Sequence, residues 1–304
     1  MHFNVRIARV GLIGALFFAC ILPVTPAHAA DDVRDAIAIT PTSKHYSVKA
    51  GEHITDTLTI VNPGDTTFNF KLYGRPFYVK SGTYDTVFSQ ENDYADGYRW
   101  LSLPTTIYSI APKQKVNVPF DIYVSKGART GGHYAAIFAE TQAPMVDGQT
   151  GVSNNKAVGM LMYINVEGPT KTAGSYTGID MPWYQPAAPL KAVPHLENTG
   201  ETDFSAKMTF AVMDIAGDVK YQTSSDFWML PHTTRDVAFT WDKSPWFGLY
   251  KARVSTTLLG KTTVSESYIV IAPRWLAFVA LLVILLGVID VVRRKRTTTK
   301  RKSR

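Results

Sequence analysis

Five histidines, His45, His53, His133, His195 and His232, are the first residues in this chain to weigh for chemistry. They are scattered, and none has the spacing of paired metal ligands. No HExxH, GxSxG, phosphate loop or CxxC occurs. Ser153-Asn154-Asn155-Lys156 matches SxxK, but it falls in an expected loop without the companion motifs and reads as chance. Glu91, Asp93 and Asp96 beside Gly97 offer carboxylates, yet not at the spacing of an EF loop. They read as a solvated acidic loop. The chain is therefore expected to be non-catalytic and to carry no metal or cofactor.

Binding is better served. The stretch from Lys80 to Tyr98 sets Tyr84, Phe88, Tyr94 and Tyr98 among acids and amides. Aromatic faces in such company stack on sugar rings or anchor a protein partner. The other reading is a loop folded on its own tyrosines. Gln142 to Lys156 is polar and reads as a tolerant insertion. The aromatics farther on (Trp183, Tyr184, Phe227, Trp228, Trp241, Trp246 and Phe247) read mostly as core or linker packing.

The elements that must position these groups are strands. Ile54 to Val61 puts Ile54, Leu58 and Ile60 on one face and Thr55, Thr57 and Thr59 on the other; only Asp56 breaks the apolar set. Asn62-Pro63-Gly64-Asp65 is a turn in which Pro presets φ and Gly accepts φ > 0. Thr67 to Val79 is a second long strand whose phase slips at Gly74-Arg75-Pro76, as a bulge or break would cause. Trp100 to Leu103 is short. Lys115 to Val124 alternates cleanly, and Pro119 puts it at an edge or a bulge. His133 to Glu140 suits a central strand paired with Val158 to Val166. Gly168 to Pro186 reads as a linker. Beyond it come Leu190–Leu196, Phe204–Met213, Val219–Met229, Thr234–Trp241, Gly248–Leu259 and Thr262–Ile271. Asn198-Thr199-Gly200 and Ala216-Gly217-Asp218 look like hairpin turns between them.

The fold class expected is thus all-β: two immunoglobulin-like β-sandwich domains, at 30–167 and 187–273, with the linker at 168–186. One C-terminal transmembrane α-helix follows. Trp275–Val292 is an eighteen-residue apolar run, roughly 27 Å as a helix and close to a bilayer's hydrocarbon thickness. Eight of the last twelve residues, 293–304, are basic. This tail fixes the C-terminus in the cytoplasm and everything before Trp275 outside. Residues 1–29 read as a signal peptide, with Arg6 and Arg9, an apolar run from Val10 to Ile21, and Ala27-His28-Ala29 before the cut. The second domain, joined almost directly to the helix, should sit on the membrane.

Charge and cysteine narrow the class. Removing the tail, Arg6 and Arg9 from 32 basic residues and Asp290 from 25 acidic ones leaves 22 against 24. A slightly acidic exterior gives no reason to expect nucleic acid. Cys20 is the one cysteine, inside the signal, and the chain has no Asn-x-Ser/Thr sequon. Both lean towards a bacterial cell surface.

In the first domain, Ile39-Thr40-Pro41, Val48-Lys49-Ala50-Gly51-Glu52, Leu58 to Gly64, Val116 to Val124 and Gly131 to Ile137 come in an order that resembles the N-terminal domain of bacterial WxL-interacting proteins. The resemblance covers about 110 residues. It implies a membrane-anchored protein whose first domain engages peptidoglycan and whose second engages a partner protein. Trp228-Met229-Leu230 is a literal W-x-L, but a single copy in a strand reads as core. The expected function is a single-pass plasma-membrane protein of the cell surface that binds peptidoglycan, surface proteins or both. The alternative is an assembly chaperone-like module that binds an extended peptide along a sheet edge.

Overall fold

The computed structural model describes residues 36–142 and 155–302, with side chains of the last helix described as far as residue 291. The signal segment at 1–29, Ser153 and nearly all of the 142–156 loop lie outside the described residues.

The first sandwich is built from β1 (Ala38–Thr40), β2 (Ser43–Val48), β3 (His53–Val61), β4 (Phe68–Pro76), β5 (Tyr78–Val79), β6 (Thr86–Val87), β7 (Leu101–Ser102), β8 (Tyr108–Ile110), β9 (Lys115–Tyr123), β10 (Gly131–Gln142) and β11 (Ala157–Val166). One sheet runs β1-β3-β9-β7 and the facing one β2-β11-β10-β4-β8. Alternation decides what lies between them. In β9, Val118, Phe120 and Ile122 are buried while Asn117, Pro119 and Tyr123 are exposed. Pro119 pairs with Thr57 on one side, and β7 reaches only Asp121 and Ile122 on the other. Its missing N–H therefore falls on an open edge, as the sequence requires. Asp56, the one ionisable group on the apolar side of β3, accepts hydrogen bonds from Lys44 Nζ and Tyr46 Oη, each at 2.6 Å. The phase slip near Pro76 is a strand break: β4 ends there and β5 resumes after Phe77.

The second sandwich comprises β12 (Gly174–Asp180), β13 (Tyr184–Gln185), β14 (Leu190–Asn198), β15 (Phe204–Asp214), β16 (Val219–Met229), β17 (Thr233–Asp236), β18 (Phe239–Trp241), β19 (Gly248–Leu258) and β20 (Lys261–Ile271). Its sheets are β12-β14-β17, with β18 also on β14, and β13-β20-β19-β15-β16. The expected linker at 168–186 needs correction. Residues 174–180 pair antiparallel with β14, and Tyr184 and Gln185 pair parallel with β20. Small polar composition marked these as loop, but their backbone groups are used by the sheets. Thr234–Trp241 likewise divides into β17 and β18.

The two sandwiches use one connectivity twice. In each, a short strand lies parallel on the last strand of the larger sheet (β2 on β11, β13 on β20). In each, the chain then crosses between sheets at a buried asparagine. Asn62 Nδ2 donates to the carbonyls of Thr66 and Ile110, at 2.8 and 3.2 Å, and its Oδ1 accepts the Gly64 N–H at 2.9 Å. Asn198 Nδ2 donates to Thr202 and Met229, both at 3.0 Å, and its Oδ1 accepts the Gly200 N–H at 2.8 Å. Both side chains are fully buried. Asn198-Thr199-Gly200 is therefore a sheet-to-sheet corner and not a hairpin; Ala216-Gly217-Asp218 does close a hairpin, between β15 and β16. The first corner is likewise closed by the Asn62 carboxamide, and Gly64 is not among the glycines with positive φ.

Two residues, Ala272 and Pro273, separate β20 from α1 (Arg274–Lys302). Arg274–Val291 is long and apolar enough to cross a membrane, and none of it is buried against the rest of the chain. A core helix would be.

Removing either carboxamide would leave an amide N–H and two carbonyls unpartnered in a dry corner. Asn62→Ala and Asn198→Ala are each expected to lower the unfolding free energy by about 2–4 kcal/mol. Urea unfolding of the full chain in detergent reads this out, and a loss below about 0.5 kcal/mol in both variants would refute the corner's role.

Candidate functional site at the seam between the sandwiches

The two sandwiches meet along a seam that begins at Gly131 and Gly132. These open β10 because nothing larger fits. A Cβ on Gly131, at φ +104°, would sit 2.6 Å from the Glu201 carbonyl, and one on Gly132 would lie 2.1 Å from Tyr134 Oη. Bare backbone lets the Gly132 N–H donate to the Glu201 carbonyl at 2.9 Å. Two residues on, Tyr134 is fully buried and donates its hydroxyl to Asp203 Oδ1 at 2.8 Å. His45 Nδ1 lies 3.7 Å from Asp203 Oδ2. The His45 ring stacks on Tyr163, 4.3 Å away, and lies tilted against Trp228, 4.0 Å away. Each of these pairs spans the two sandwiches or supports one that does.

Burial sets the electrostatics. It pushes the Asp203 carboxyl above the ordinary carboxylate range, and the Tyr134 hydroxyl and His45 pull it part of the way back. It holds the His45 imidazole below its usual value, against the pull of Asp203. It also drives the Tyr134 phenol well above its ordinary value. All three shifts favour uncharged groups.

The loop from Lys80 to Tyr98 lies across the outer face of the larger first-domain sheet. With Leu230 it covers a small second core of Phe77, Val79, Tyr134, Ala136 and Tyr163. The four aromatic candidates divide. Tyr84 runs into the seam, where its hydroxyl accepts the Leu230 N–H at 2.6 Å and the Arg235 guanidinium lies 4.2 Å over its ring. Phe88 packs edge-on against Phe138 at 4.9 Å. Tyr98 hydrogen-bonds Glu91, which also pairs with Arg99. Tyr94 is the one of the four that faces a cleft, with the Arg129 guanidinium 4.3 Å over its ring and His232 at 5.4 Å. That cleft, about 620 Å³, is walled by Tyr78, Lys80, Asn92, Asp93, Tyr94 and the segment Leu230–Thr233. Tyr84 and His232 adopt φ of 62° and 52°, a left-handed backbone that costs on the order of 1 kcal/mol for such residues. The backbone joins the walls as well: the Gly82 N–H donates to Thr234 at 2.9 Å, and the Asp236 N–H donates back to Gly82 at 3.1 Å.

Several seam residues lay outside the sequence reading. Tyr134, Tyr163 and Arg235 sit in ordinary strand patterns, Asp203 lies in the corner just before β15, and nothing local marks them. Trp228 is not core: it is 40% exposed, and it is Met229 and Leu230 that are buried. Trp183, Trp246 and Phe247 are exposed too, while Phe227 and Trp241 pack inside as expected. The acidic loop is engaged locally, with Asp96 Oδ1 2.6 Å from His133 Nδ1. Among the described residues no group of three His, Cys, Asp or Glu is placed to hold a metal ion.

No protein-family profile matches the chain, and no curated protein does. Among solved structures it is similar to the class 5 fimbriae chaperone CfaA, at 10% identity and a TM-score of 0.39, over 76% of this chain and 99% of that one. It is similar to a chain of the CsuC–CsuE chaperone–tip subunit pre-assembly complex of Acinetobacter baumannii, at 12% identity and 0.39, over 76% and 98%. The E. coli chaperone DraB is similar at 11% identity and 0.34, over 77% and 95%.

Because the folded carboxyl of Asp203 titrates above its unfolded value near 3.8, its protonated form adds stability that is complete below that value and lost as pH rises through the folded one. His45, held below 6.5, acts oppositely: its contribution is present above 6.5 and lost as pH falls. Asp203→Asn keeps an acceptor for Tyr134 and removes the charge. It should abolish the falling arm on the acidic side and leave the arm below 6.5. Urea midpoints across this range measure both, and an unchanged profile would exclude Asp203 as the source.

Proposed function

We propose that this chain is a non-catalytic, single-pass membrane protein whose two sandwiches face the cell exterior and bind an extended polypeptide along the free edge of β16. The observation that carries this reading is the edge itself. β16 has eleven residues, lies at the end of its sheet, and pairs only with β15. The other strands at the ends of the described sheets run from two to seven residues. An unpaired row of N–H and C=O groups is a template for one more strand. Lys220 and Asp226 flank it as charges that discourage self-pairing, and Tyr221-Gln222-Thr223-Ser224-Ser225 between them carries none. A guest of about five residues would find main-chain partners throughout that run.

Topology follows from α1 and the run at 293–304. Retention of Lys and Arg on the cytoplasmic side supports an external N-terminal portion and a cytoplasmic C-terminus at the plasma membrane. The near-balanced charge outside supports a protein or glycan partner over nucleic acid.

A second reading has its own observation, the seam cleft. Tyr94 with Lys80, Asn92, Asp93 and His232 combines an aromatic face with convergent polar groups, a lining suited to a sugar ring. Peptidoglycan engagement, with the resemblance to WxL-interacting proteins, belongs to this reading.

A photo-crosslinking amino acid placed at Ser224, and separately at Asn92, in the full chain expressed in its own cells distinguishes the two. The first reading expects a discrete protein adduct from position 224. Adducts from position 92 alone, together with loss of pull-down by purified peptidoglycan in Tyr94→Ala, would replace it with the second.

A further inference from the structure

The base of the second sandwich carries an aromatic surface that the fold does not use for its own packing. Trp183 is 73% exposed, Trp246 66% and Phe247 57%. Leu249 and Val270, paired across β19 and β20, are exposed beside them. Folding would ordinarily cover side chains of this size. The surface is continuous with the membrane helix: Trp183, Tyr184 and Phe247 share a cavity of about 640 Å³ with Pro273, Leu276 and Phe278.

The patch is also held rigidly to the helix. The Val270 N–H donates to the Trp183 carbonyl at 2.8 Å, and the Ala272 N–H to the Gln185 carbonyl at 3.0 Å. Tyr184 Oη donates to the Ala272 carbonyl at 2.8 Å. Three hydrogen bonds thus fasten the β13 segment to the last residues before α1. Two residues of extended chain span about 7 Å at most. If α1 crosses a bilayer from Arg274, the base of the sandwich cannot stand clear of the headgroups. An amphipathic ring belongs at that depth, with its apolar face towards the acyl chains and its N–H in the polar layer.

We infer that Trp183, Trp246 and Phe247 insert into the outer headgroup–acyl boundary of the membrane that α1 crosses, forming a second lipid contact that fixes the second sandwich on the bilayer. The inference rests on the reading of α1 as a span. It assigns the patch one occupant, the lipid interface, because the surface runs unbroken into the helix. Since the seam joins the first sandwich to the second, the contact also sets how the β16 edge and the cleft are presented above the membrane.

Tryptophan quenching by lipids brominated along the acyl chain tests this on the full chain in phosphatidylcholine vesicles. Trp183→Phe and Trp246→Phe, combined, should remove a larger share of the quenchable emission than Trp275→Phe alone; Phe keeps each side chain apolar, and unchanged far-ultraviolet circular dichroism checks the fold. If Trp275→Phe alone removes all the quenching, the helix is in the bilayer but the base is not, and the inference is overturned. If no variant, nor the wild type, is quenched, the span itself fails and the inference fails with it.

Discussion

A phenol and a carboxyl group, shut between two sandwiches and bonded to each other, are what the rest of this molecule depends on. Tyr134 is fully buried, and the Asp203 side chain is 7% exposed. Neither can be left without the other: an unpartnered buried hydroxyl or carboxyl costs more than a satisfied pair contributes. The bond therefore acts as a condition on how the two domains meet. It requires Gly131 and Gly132 to bring the backbones together, and it brings His45, Tyr163 and Trp228 into register. Loop 80–98, the cleft and the start of β17 are all built outward from it.

The loop shows how a binding-type composition can be spent on structure. Four aromatics in nineteen residues suggested a ligand surface. Tyr84 and Phe88 pack inward because the outer face of β10 is itself apolar at Tyr134, Ala136 and Phe138, and something must cover it, while Tyr98 packs against the core between the two sheets. Tyr94 is left facing outward, stabilised by Arg129. A gap remains between the loop and Leu230–Thr233. The cleft is a by-product of how the seam closes, and its polar lining makes it available to a ligand.

Duplication of the corner is the second organising constraint. Asn-x-Gly-acid-Thr-x-Phe occurs at Asn62 to Phe68 and again at Asn198 to Phe204. In both places a chain that leaves one sheet must enter the other, and its amide and carbonyl groups lose their ladder partners. A buried carboxamide supplies one acceptor and two donors and restores them. The spacing was visible in the sequence. Its meaning was not, because a turn that joins two strands of one sheet and a corner that changes sheets use the same residues.

The sequence alone determined the strands, the sandwich class and the apolar helix. Each is written in a local period: two residues for β3, β9 and β16, an unbroken apolar run for α1, and side-chain alternation needs no knowledge of the neighbour. It misjudged the stretch from Gly174 to Gln185, because small polar residues tolerate both a linker and an edge, and only pairing with β14 and β20 chooses between them. It also read Trp183, Trp246, Phe247 and Trp228 mostly as core or linker packing, since size and apolarity say that a ring prefers to leave water but not which surface will receive it. Tertiary structure decided the seam. Tyr134 and Asp203 lie 69 positions apart, and a contact between residues so distant depends on where two whole sandwiches come to rest against each other.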